Sequence, residues 1–150
     1  MIPFMQIYQN KNLKLLGVVA LLLGMVLFPY GWLANNWWVM RWIENTFFEA
    51  EWSHWLGHMV MYGTLATAVL VVFPQLLKRP DLYFGLIFAI GLTQEILQLL
   101  TFKHHFFTTN ELFDLIVDLL AAGLVFAVGK LITQKRNGRN IYAFKNTRKQ

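Results

Sequence analysis

"LYFGLIFAIGLTQEILQLLTF" (Leu82–Phe102) holds a single charged residue, Glu95, with Gln94 and Gln98 on either side of it. A helix needs about 20 mainly apolar residues, at about 1.5 Å rise each, to cross a bilayer. This stretch has that length and composition, so it reads as a membrane-crossing helix. The glutamate inside it is then the residue to explain. Three further runs read the same way. Leu15–Met40 has no charged residue, Trp55–Leu77 has none when His58 is neutral, and Leu112–Lys130 has three. The pattern predicts an all-α polytopic membrane protein with helices over Leu13–Leu33, Trp55–Leu77, Leu82–Phe102 and Glu111–Ile132. These make one domain, residues 1–132, followed by a basic tail, residues 133–150.

Composition supports that class. The chain is 57% hydrophobic and only 14% charged, where a soluble domain carries about 25% charged residues. The absence of cysteine excludes disulfides, thiol nucleophiles and iron–sulfur clusters. There is no nucleotide-binding glycine loop, no strong internal repeat and no serine-centred hydrolase elbow. The first apolar run is too long for a signal-peptide core and lacks a small-x-small cleavage site, so it reads as a retained anchor.

The net charge of +5 reflects topology rather than a nucleic-acid partner. Eleven of the thirteen Lys and Arg residues precede the first run, lie between the second and third, or end the chain. Arg41 and Lys103 alone fall on the other side. By the positive-inside rule both termini are expected in the cytoplasm. All six tryptophans lie between Trp32 and Trp55, the enrichment typical of a membrane–water interface. Residues 35–54 therefore read as a short interfacial helix on the outer leaflet. Arg41, Glu44, Asn45 and Glu49 would share one face, and Val39, Ile43 and Phe47 another. "KRPD" (Lys78–Asp81) reads as a tight inner turn and "KHHFFTTNE" as a short outer loop, with His104 and His105 in it and Thr109 or Asn110 as a helix cap. Gly123 and Ala127, four apart, are expected at a close helix contact.

That topology sets the depth of each intramembrane polar residue. Counting about 1.5 Å per residue from the outer end of each helix, His58, Tyr62, Glu95, Gln98, Asp114 and Asp118 all fall in the outer half. His58 and Tyr62 are i,i+4, Glu95 and Gln98 i,i+3, and Glu111, Asp114 and Asp118 repeat at three and four, so each set forms one stripe. A carboxylate near the bilayer centre costs roughly 2.5–3.5 kcal/mol, and three acids together oppose ionisation further. The cluster is thus expected to hold a proton or a cation, with His58 able to supply the latter. His54 and His58 have a ligand-like spacing, but H-x-x-x-H alone is too weak a signal to assign a metal. No metal or cofactor is expected.

Three segments together resemble the VanZ-like membrane proteins. "HWLGHMVMYGTLATAVL" (His54–Leu70) is similar to the family's first signature, a histidine followed four residues on by tyrosine. "QEILQLL" (Gln94–Leu100) resembles its central Glu-x-x-Gln segment. "LFDLIVDLLAAGLVFAVG" (Leu112–Gly129) resembles its last helix. The likeness covers roughly Trp52–Gly129, in the right order and spacing. Members often carry Asp-Lys before the histidine and an Arg between the Gln and the Asp, and Asn is commoner than the Asp118 found here. The resemblance implies a small multi-helix protein of the bacterial cytoplasmic membrane, connected with low-level resistance to teicoplanin-type glycopeptides. It places the family's motif positions on His58, Tyr62, Glu95, Gln98, Asp114 and Asp118.

Several readings are compatible with these residues. In an acid/base enzyme, Glu95 helped by His58, Asp114 and Asp118 would act on a lipid-linked or cell-wall substrate at the outer leaflet. In a non-catalytic binder, Tyr62 and Gln98 would join the same cluster in holding a lipid, a glycopeptide or a partner membrane protein. Alternatively the polar residues are interhelical glue. A carrier is least favoured, because the polar residues stop at one leaflet. The sequence leaves the oligomeric state open.

Overall fold

The computed structural model describes residues 3–28, 30–47, 51–103 and 109–147. Pro29, residues 48–50 of the expected interfacial helix, His104 and His105 of the outer loop, and the last three residues of the tail lie outside the described residues. The described chain is helical, with no strand: α1 Pro3–Val26, α2 Tyr30–Asn36, α3 Trp38–Phe47, α4 Glu51–Val72, α5 Pro80–Gln98 and α6 Thr109–Thr147. A 3₁₀ turn, Pro74–Lys78, joins α4 to α5, and a π-helical turn, Leu99–Lys103, extends α5.

Three stretches are long and apolar enough to cross a membrane: Trp52–Val72, Pro80–Thr101 and Thr109–Arg136. The expected first span, Leu13–Leu33, is not one straight helix. Leu15–Val26 and Tyr30–Asn36 meet at 57°. Pro29 stands between them in the sequence, and proline offers no backbone N–H to continue a helix. Three other boundaries differ from expectation. The second long helix begins at Glu51 rather than Trp55, a full turn earlier. The third ends in a π-turn instead of running as α-helix to Phe102. The last helix runs past Ile132 into the residues read as the basic tail, since α6 continues unbroken from Thr109 to Thr147.

Packing follows from three stripes. α6 packs against both α4 and α5, and α1 packs on α4. Leu65, Ala66 and Val69 of α4, Tyr83 and Ile87 of α5, and Ala121 and Ala122 of α6 form the apolar core. The Tyr83 hydroxyl donates to the Ala122 carbonyl at 3.1 Å, tying α5 to α6. The outward faces carry Leu82, Phe88, Ile96, Leu120, Leu124 and Leu131, all exposed. Meanwhile the interior holds charged side chains. Polar groups within and hydrocarbon without is the arrangement that a lipid solvent favours.

The close helix contact is not at Gly123 or Ala127. Ala127 is exposed, and a Cβ on Gly123 would meet only Phe84, at 4.0 Å. The tight approach is at Gly91 of α5, where a Cβ would lie 2.9 Å from Leu115 Cδ2 and 3.1 Å from Asp118 Oδ2. There the missing side chain lets α5 close on α6. Gly91→Val is expected to cost about 1–3 kcal/mol through overpacking, whereas Gly63→Ala, with nothing within 4 Å of its Cβ, is expected to be neutral. Thermal unfolding of the two variants in detergent micelles checks this; equal melting temperatures would refute the Gly91 contact.

Candidate functional site

The buried polar side chains are His58, Gln94, Glu95, Glu111, Asp114 and Asp118. They come from the first turns of α4, the last turns of α5 and the first turns of α6, so antiparallel neighbours deliver them to one end of the bundle. Below them on α4 and α6 the buried residues are apolar.

Two histidine–carboxylate pairs join α4 to α6. His58 Nδ1 lies 2.8 Å from Asp118 Oδ1, with both side chains almost wholly buried. One turn nearer the helix starts, His54 Nε2 lies 3.3 Å from Asp114 Oδ2. The Asp114 side chain there is 5% exposed and that of His54 is 43% exposed. The pairs are related by one helical turn on each helix, because His54/His58 and Asp114/Asp118 are both i,i+4. The two imidazoles lie 4.8 Å apart, centre to centre. His58 also stacks on Tyr62, with centroids 6.1 Å apart and planes 6° from parallel. The Tyr62 hydroxyl donates to Gln94 Oε1 at 2.6 Å, which carries the network to α5.

Glu95 is fully buried and close enough to act electrostatically on His58 and Tyr62. Glu95, His58 and Asp118 are all buried, and the cluster reaches the surface through His54, whose side chain is 43% exposed. Asp118 Oδ2, directed toward Gly91, has no hydrogen-bond partner among the described residues. One ligand atom from each of His54, His58 and Asp114 lies within 4.8 Å of the others.

Of the residues singled out in the sequence, the structure gathers His58, Tyr62, Glu95, Asp114 and Asp118. Gln98 is only half-buried, one turn beyond the cluster. Gln94 takes the bond to Tyr62 instead. Its signal was available: Gln94 falls on the stripe of Tyr83, Ile87 and Gly91 that α5 buries, whereas depth alone did not separate it from Gln98. His54 was set just outside the second helix, and the earlier start of α4 brings it into line with His58.

Two apolar grooves of about 600 Å³ flank α4 on its other side, against α1. One is lined by Ser53, Leu56, Gly57, Val60, Leu22 and Met25 among others, so it runs beside the turn that carries His54 and His58.

Compared with known proteins, the chain matches no family model, no curated protein and no solved structure.

The His58–Asp118 pair yields a stability prediction. Removing one partner from a buried hydrogen-bonded pair leaves the other unsatisfied at about 1–3 kcal/mol, more if it is charged, while replacing both with apolar groups of similar shape is often neutral. His58→Leu is expected to lower the melting temperature in detergent sharply, and the double variant His58→Leu/Asp118→Leu to recover most of the loss. Additive losses in the double variant would mean that the two side chains do not depend on each other.

Proposed function

We propose that this chain is a VanZ-like integral membrane protein of the bacterial cytoplasmic membrane. On this reading it crosses the bilayer four times, with the bent α1–α2 pair as the first span and α3 lying in the outer interface. Both termini are cytoplasmic, and the polar cluster opens toward the outer leaflet, where it engages a lipid-linked or glycopeptide ligand. The observation that carries the proposal is the buried His58–Asp118 pair. It joins the first and last of the family-like segments through their two motif residues.

Several features support the placement. α3 has an apolar face and a polar one, with Trp38 and Trp42 exposed as interfacial anchors. Arg41, on the same helix, donates to the Asn35 carbonyl at 2.6 Å and holds α3 against α2. The apolar groove beside Ser53 and Gly57, on the α1 side of α4, has the lining that an acyl chain requires.

A second reading, a membrane-embedded acid/base enzyme, is favoured by the same pair in a different role. An imidazole held by a buried carboxylate is a competent proton acceptor and donor. On that reading His58 and Asp118 do the proton transfer, and Glu95 shapes the field around them.

The two readings differ in what they demand of the charge on Asp118. In a susceptible host, expression of the chain is expected to raise the inhibitory concentration of teicoplanin, and His58→Ala to abolish the effect. If expression leaves susceptibility unchanged, the resistance reading is wrong. Asp118→Asn, which keeps shape and removes charge, is expected to retain much of the effect in a binder and to lose it in an enzyme. Topology is checked separately. Alkaline phosphatase fused after Thr147 should be inactive, and fused within residues 35–50 active. The reverse pattern would invert the orientation.

A further inference from the structure

His54 and His58 project from one face of α4 across to Asp114 and Asp118 on α6, two i,i+4 pairs facing each other between packed helices. Such opposed pairs are how helix bundles build metal centres in their interiors. The donors are imidazole and carboxylate, the set that suits zinc and its first-row neighbours, and cysteine is absent. We propose that His54, His58 and Asp114 form a divalent transition-metal site, with Asp118 as the residue that orients His58.

The distances support this. In tetrahedral coordination, ligands at about 2.0–2.2 Å from zinc are about 3.4 Å apart. His54 Nε2 and Asp114 Oδ2 already stand 3.3 Å apart. One ligand atom from each of His54, His58 and Asp114 lies within 4.8 Å of the other two. The widest edge therefore closes by no more than about 1.4 Å on binding. His54, whose side chain is 43% exposed at the rim, is the ligand with the most room to adjust.

Asp118 does a different job. With His58 in the Nδ1–H tautomer, Asp118 Oδ1, 2.8 Å from His58 Nδ1, accepts that hydrogen bond and leaves the lone pair on Nε2 for the metal. A carboxylate behind a ligating histidine fixes the tautomer and raises the basicity of the ring. Charge points the same way. Asp114 and Asp118 are both buried, and no Lys or Arg is buried among the described residues. Buried carboxylates are normally paired or bound to metal, and a dication offsets both. Three protein ligands also leave a coordination position open beside the exposed edge of His54, the mark of a site that binds or activates something rather than one that only holds a fold.

The inference concerns the cluster discussed above and rests on its being a ligand site rather than interhelical glue; it does not depend on the teicoplanin phenotype. The test uses the full chain in detergent, stripped with a chelator and titrated with zinc chloride alone, then with cobalt chloride. One zinc per chain is expected, with visible d–d absorption from the cobalt form. His54→Ala and Asp114→Asn are expected to weaken zinc binding by more than about a hundredfold, and Asp118→Asn by about ten- to a hundredfold. His54 is half-exposed, so His54→Ala keeps the core intact even if substitutions at His58 prevent folding; helical circular dichroism verifies this. Absence of stoichiometric zinc in the wild-type chain overturns the site. So does zinc binding that persists unchanged in His54→Ala and Asp114→Asn but is lost on replacing His104 and His105. Failure here leaves the susceptibility experiment standing, and failure there leaves the zinc titration standing.

Discussion

The structure depends on one contact between two ionisable side chains in a hydrocarbon setting, His58 Nδ1 to Asp118 Oδ1 at 2.8 Å. Between apolar helices in lipid there is no hydrophobic force to drive association, because the tails are as apolar as the side chains. Shape and polar bonding must do that work. Asp118 inside a span is tolerable only with a partner, and His58 on α4 is that partner. The pair thereby fixes which faces of α4 and α6 meet. Below it, Leu65, Ala66 and Val69 pack on Ala121 and Ala122 as a consequence of that choice. Tyr62, stacked on His58, then reaches Gln94 and brings α5 into the same arrangement.

Much of this could be read from the chain. Long uncharged runs locate helices, because in a bilayer few other structures satisfy the backbone, and the three unbroken spans lie where the runs are. That His58, Glu95, Asp114 and Asp118 share one end of the bundle was also legible, since rise per residue is fixed once the helix ends are known. What escaped was whatever depends on rotation about a helix axis or on a helix end. Gln94 and Gln98 differ by one turn, and only the buried face of α5 distinguishes them. The earlier start of α4, which aligns His54 with His58, is a helix-end question of the kind that composition does not answer. Gly123 and Ala127 satisfy a small-residue pattern, yet Ala127 is exposed and a Cβ on Gly123 would meet only Phe84 at 4.0 Å, while Gly91 makes the close contact. A pattern of small residues records where helices are able to approach, and the neighbouring helix decides where they do.

The distribution of the polar groups also bears on what the bundle does. They lie at one end only, joined across α4, α5 and α6, with apolar residues filling the remainder of the core. An arrangement meant only to hold helices together would serve as well with one hydrogen bond at any level. Here several carboxylates and imidazoles are concentrated beside a half-exposed histidine, at the cost of the burial that each charge incurs. That concentration, more than any single distance, favours a ligand site.

Gly91 has a mechanical consequence. Along α5 the residues one turn to either side of it on the buried face are Ile87 and Glu95, and both carry long side chains. Sliding α5 along α6 by one turn, about 5.4 Å, would put one of them into a gap where even a single added carbon lies 2.9 Å from Leu115. The helices must separate before they can shift, so the notch acts as a register lock. One-turn ratchets of the sort used by some switching proteins are closed to this pair. Motion at this end of the bundle is therefore left to the rim, where His54 stands, while the inner tier of the cluster keeps its level.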